Sequence, residues 1–178
     1  MAWPIGMQKK VVVVGETFQD ALRLVKVLRT IAGAHKIGRV RGVHSGAVAV
    51  VLWACGVNAD VVAAAAAVPG IGLRKFLDTV LPQNAADRTE RGCVTVVTAE
   101  MSWAYTGKLV RHTRWMTRDA LIECVAVACK PTNKLWPVMS TAGGHPGLPA
   151  VCRHCEVLQP RSRGRGFGAV EPATVGDK

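Results

Sequence analysis

Aromatic side chains are scarce in this 178-residue chain: one Tyr, three Phe and five Trp make up 5% of it. The shortage argues against an aromatic-rich binding surface, and apolar content that is mostly Val and Ala suits close-packed layers of strands and helices. Acidic residues are also few, with 12 Asp and Glu against 23 Lys and Arg, a formal charge of +11. Such a surface attracts phosphate, anionic lipid or an acidic partner without choosing between them. Only 20% of residues are charged while 49% are hydrophobic, which excludes an intrinsically disordered chain. Met1 to Lys10 has no apolar h-region, so the expectation is an intracellular, non-secreted protein with its six cysteines reduced. Cys55, Cys93, Cys124 and Cys129 lie in apolar stretches and read as small buried hydrophobes.

The pattern along the chain is that of an α/β protein. Val11 to Val14 is a β-branched run closed by Gly15, as in a strand buried on both faces of a parallel sheet. Ala21, Leu22, Leu24, Val25, Leu28 and Ile31 then recur at helical spacing, with Gly33 placed to end the helix. Ile37 to Val40 reads as a second strand, Gly42 to Gly46 as a tight turn, and Ala47 to Val57 as a buried helix. The apolar stretch Ala47 to Val68 has the length of a bilayer span, but Asn58 and Asp60 interrupt it and alanine is only weakly lipophilic, so buried helices are expected.

Further on, Arg74 to Leu81 reads as a helix stopped by Pro82, and Gln83 to Arg91 as a surface loop. Cys93 to Ala99 and Lys108 to Thr113 read as strands joined around Tyr105-Thr106-Gly107. Thr117 is placed to cap a helix running to about Cys129, with Asp119 in its first turn. The expected organisation is one domain over residues 1–158 and a basic Arg/Gly-rich tail over 159–178.

Gly42-Val43-His44-Ser45-Gly46 carries the functional argument. A nucleophile elbow needs small residues on both sides of its apex, because a sharp strand-to-helix turn leaves no room for side chains there. Gly42 and Gly46 meet that need, between a β segment and a long apolar helix.

From about Lys10 to Pro149 the chain resembles the patatin-like phospholipase family. Val11 to Gly15 followed by Glu16-Thr17-Phe18 falls where that family has its first strand and glycine-rich oxyanion loop. Gly42 to Ala47 resembles its Gly-Ala-Ser-Ala-Gly elbow and Ala-rich helix. Leu81-Pro82, the strand from Gly92, the strand from Leu109, the small-residue helix Asp119 to Cys129 and Pro137 follow in the family's order. Ala142-Gly143-Gly144 ahead of Leu148-Pro149 is similar to its Asp-Gly-Gly turn. The resemblance implies a three-layer fold with a mainly parallel central sheet flanked by helices.

The chain departs from the family where the chemistry is done. His44 stands at the serine nucleophile and Ala142 at the aspartate base, while Glu16 brings a negative charge into the oxyanion-loop remnant Gly15-Glu16-Thr17. Serine–aspartate chemistry needs a carboxylate to take the hydroxyl proton and N–H donors to hold the oxyanion. Ser45, beside His44, is the fallback nucleophile, but one step past an elbow's apex points elsewhere, and a helix cap is the plainer role.

Cys152-Arg153-His154-Cys155 has a spacing that can grip zinc, yet a structural site needs four ligands, so Cys152 and Cys155 are expected to hold no metal. Arg161 to Gly168 resembles RNA-binding Arg-Gly segments, with a solvated tail as the plainer reading. A pseudoenzyme acting as an accessory subunit is the expected function, without a cofactor. Its setting would be a mitochondrial respiratory-chain or ATP-synthase complex, with protein subunits and anionic lipid as partners. The alternatives are a mitochondrial ribosomal protein meeting RNA through its basic surface, and a lipid acyl hydrolase using Ser45.

Overall fold

The computed structural model describes residues 8–101, 107–130, 155–158 and 172–173. The chain begins with strand β1 (Lys9–Gly15), helix α1 (Phe18–Ala34) and strand β2 (Ile37–His44). Helices α2 (Gly46–Ala54), α3 (Ala59–Ala66), α4 (Leu73–Val80) and α5 (Ala85–Arg91) follow, then the strands β3 (Val94–Met101) and β4 (Gly107–His112). Helix α6 (Arg118–Ala128) and the short strands β5 (Cys155–Leu158) and β6 (Pro172–Ala173) complete the described elements.

The sheet has the order β4-β3-β2-β1-β5-β6. β1 pairs in parallel with β2 and β5, and β2 pairs in parallel with β3. Antiparallel β4 and β6 close the two ends. The expected mixed α/β architecture with a mainly parallel sheet is present. β1, β2 and β3 are adjacent and step the same way across the sheet, so right-handed crossovers deliver their connecting helices to one face. Accordingly, buried residues from α1 to α6 share one core with Val11, Val13, Val40, Val94 and Val96. Val12, Val43 and Val97 face the other way as a separate buried cluster.

Local chemistry explains most boundaries. Thr17, Asn58 and Thr117 cap α1, α3 and α6 with side-chain oxygens accepting from backbone N–H groups. Asn58 therefore divides the long apolar run into two short helices, and no described helix is long and apolar enough to cross a membrane.

Four expectations need correction. α1 runs through Gly33 to Ala34, and the His35 N–H bonds the Ile31 carbonyl. β2 extends four residues beyond Val40, so Gly42 lies within a strand. The segment read as a loop from Gln83 contains α5, which buries Ala85, Ala86 and Thr89. Thr89 is satisfied there by donating to the Ala85 carbonyl at 2.7 Å. Of the cysteines read as buried, Cys55 is buried, Cys124 and Cys129 are half-buried, and Cys93 is exposed at a positive φ of 51°.

Candidate functional site

The parallel pairing of β1 with β2 sets Gly15 opposite His44, which places both at the carboxyl ends of adjacent strands. Crevices at such strand ends are the usual ligand positions of open α/β sheets. β2 stops at His44 with φ 53°, Ser45 turns into the right-handed region, and α2 begins at Gly46. A left-handed conformation is uncommon outside glycine and costs on the order of 1–3 kcal/mol, so the surrounding turn must impose it.

The flanking glycines explain how. A Cβ on Gly46 would lie 2.1 Å from the Val13 carbonyl oxygen, and one on Gly42 would lie 2.6 Å from the Ala47 Cα. α2 thus starts directly on the backbone of β1 and folds back over β2. The turn has the form of a nucleophile elbow with an imidazole at its apex.

The carbonyl of Gly15 organises the apex. It accepts from the Ser45 N–H at 3.2 Å and from His44 Nδ1 at 3.1 Å. A carbonyl only accepts, so Nδ1 carries the proton and Nε2 of the neutral ring keeps its lone pair. Burial lowers the His44 pKa, opposed by the bond to Gly15 and then by the charges of Glu16 and Asp20. The ring is therefore neutral at pH 7.

The N–H groups that follow Gly15 are engaged internally. Asp20 Oδ2 accepts from the Thr17 N–H at 2.8 Å and the Glu16 N–H at 3.2 Å, and Thr17 Oγ1 accepts from the Asp20 N–H at 3.2 Å. This is a capping box with aspartate at its third helical position. In an acyl hydrolase such loop donors, together with the N–H after the nucleophile, would hold the oxyanion. Here Glu16 and Thr17 serve Asp20, and Ser45 serves Gly15.

Ser45 occupies the N-cap position of α2 but makes no capping bond with its side chain. It is 3% exposed, and its Oγ is buried with no hydrogen-bond partner among the described residues. The hydroxyl sits where a Cβ on Gly15 would be only 2.3 Å away, so it is turned against the β1 backbone. His44 and Ser45 are brought together by sequence but are not joined by a hydrogen bond.

Above this turn lies a pocket of about 270 Å³. Phe18, Val48, Ile71, Leu73 and Phe76 form its apolar walls, and Glu16, His44, Ser45 and Cys129 complete the lining. Phe18 meets Phe76 edge to face with centroids 4.8 Å apart, which joins the start of α1 to α4 across the pocket. Cys129, at the end of α6, donates from Sγ to the His44 carbonyl at 3.4 Å. Burial pushes its thiol up to about 12.

Sequence reasoning missed both Asp20 and Cys129. The Thr-x-x-Asp spacing of Thr17 and Asp20 is a readable capping signal, whereas nothing local links Cys129 to a carbonyl 85 residues earlier. Ala142, Gly143, Gly144 and Cys152 lie outside the described residues, as does the side chain of Cys155, whose backbone pairs with Lys10. Among the described residues no group of three or more His, Cys, Asp or Glu is arranged to hold a metal ion. The chain matches no family model, no curated protein and no solved structure.

Proposed function

We propose that this chain is a degenerate patatin-like protein that has lost acyl hydrolysis and serves as an accessory subunit of a larger assembly. The observation that carries this reading is the elbow itself, whose strained apex holds His44 while the neighbouring N–H donors of Glu16, Thr17 and Ser45 are already bonded. Strain of this kind is typical of functional turns, so its presence under a non-hydrolytic residue favours descent from an enzyme. Ala142 supplies no base, and Ser45 Oγ is buried with no base bonded to it among the described residues.

The net charge of +11 supports a role in which the outer surface meets an acidic partner or anionic lipid. A mitochondrial respiratory-chain or ATP-synthase complex is the proposed setting.

Two measurements test the reading. Purified protein incubated with a short-chain acyl ester should show no turnover above buffer, and Ser45→Ala should behave identically. Wild-type turnover abolished by Ser45→Ala would establish a rearranged hydrolase instead. Native electrophoresis of gently solubilised mitochondria should find the chain in a species far larger than itself, and finding it only as a free monomer would remove the assembly role.

A further inference from the structure

The polar groups of the pocket are one-sided. Cys129 has committed its S–H to the His44 carbonyl, and the Ser45 hydroxyl is covered. That leaves the exposed Glu16 carboxylate at the lining and His44 Nε2, which no described residue bonds. Both are acceptors, since the neutral ring carries its proton on Nδ1. No lysine or arginine is among the described lining residues. An anion placed here would leave water to face a lone pair and a second negative charge, with no cation among the described lining residues to offset its desolvation.

From this we infer that the pocket binds a small neutral apolar molecule with an O–H head, of the medium-chain aliphatic alcohol class, donating to His44 Nε2. The volume of about 270 Å³ equals the space of about nine waters at about 30 Å³ each. That suits a compact chain lying against Phe18, Val48, Ile71 and Phe76. The basic outer surface and the acceptor-lined pocket thus sort ligands oppositely: anions are drawn to the exterior and refused inside. This binding goes beyond the non-catalytic reading and does not depend on it, because an alcohol has no acyl bond to hydrolyse.

The test is a titration of full-length protein, ¹⁵N-labelled at histidine, with 1-octanol and with octanoate at pH 7.5. Octanol should bind saturably and move the Nε2 resonance of His44, while octanoate should bind at least about tenfold more weakly. Ile71→Trp, which fills the pocket from a half-buried wall position, should abolish octanol binding; the wild-type Nε2 shift locates the site even if that variant fails to fold. Equal or tighter octanoate binding would overturn the inference. So would an absence of saturable binding, or saturation that leaves His44 Nε2 unmoved.

Discussion

Replacing Gly46 by alanine tests the elbow's packing more directly than any change at its apex. The added methyl would sit 2.1 Å from the Val13 carbonyl oxygen and 2.6 Å from the Val13 carbonyl carbon, both backbone atoms. Ordinary carbon–oxygen contacts are about 3.3 Å or longer, so either α2 or β1 must retreat by more than about 1 Å. Neither yields easily: β1 is hydrogen-bonded on both sides, Val13 facing Gly42 and Leu158, and α2 is buried from Gly46 to Leu52. Overpacking typically costs about 1–3 kcal/mol, and the upper end is expected where backbone must move. At about 2–4 °C per kcal/mol for a chain of this size, a loss of about 3 kcal/mol lowers Tm by about 6–12 °C. Gly33→Ala is the matched comparison. Gly33 is exposed inside α1 with nothing within 4 Å of its added Cβ, so the same methyl should stabilise by about 0.5–1 kcal/mol through helix propensity. Urea unfolding followed by far-UV circular dichroism should displace the two midpoints in opposite directions. A loss below about 1 kcal/mol for Gly46→Ala, or shifts of the same sign in both variants, would refute the close-approach argument.

Three further outcomes are expected. Arg118 is 12% exposed and bonds Asp78 Oδ1 at 2.6 Å, the Asp78 carbonyl and the Leu81 carbonyl at the end of α4. Arg118→Ala should lose about 2 kcal/mol in the same urea assay, whereas Arg74→Ala, breaking the exposed pair with Glu123, should leave the midpoint unchanged. Iodoacetamide at pH 8 should modify exposed Cys93 well before buried Cys55 and before Cys129, whose thiol stays protonated; peptide mass spectrometry showing Cys129 labelled first would contradict the structure. The His44 pKa lies below its unfolded value of 6.5, so as pH falls below 6.5 the unfolded chain takes up that proton first. The associated stability is complete above 6.5 and is lost as pH falls towards the folded pKa. His44→Asn, which tolerates the left-handed turn, should flatten the stability profile between about pH 7 and pH 5, and an unchanged slope would count against the burial argument.

Much of the fold is legible because apolar periodicity and capping residues act locally. The β-branched run before Gly15, the spacing from Ala21 to Ile31, and Thr117 with Asp119 each announce their element. Boundaries set by tertiary contact are less readable. Gly42 looks like a turn residue in sequence, but it belongs to a strand because Ala47 crosses so closely above it. α5 is hidden because its buried side is only Ala85, Ala86 and Thr89, seven residues being too few to display a helical period. At the site, the two glycines mark the elbow and the apex is readable as His44. Whether its donors are free is a matter of geometry: Ser45 reads as a cap, yet its hydroxyl turns against Gly15 and makes no such bond.

The capping box at the start of α1 also bears on what a different residue at the apex of the elbow could do. A serine placed at position 44 would bring a hydroxyl to a turn whose neighbouring N–H donors, those of Glu16 and Thr17, are already bonded by Asp20 of the same chain. Removing the Asp20 carboxylate would free those two N–H groups while leaving only the Thr17 half of the capping box at α1, a loss of stability. Neither change alone therefore sets a hydroxyl at position 44 beside free donors at Glu16 and Thr17. The side chain that stabilises the first helix thus works as a latch, tying the stability of α1 to the occupancy of the donors beside the turn.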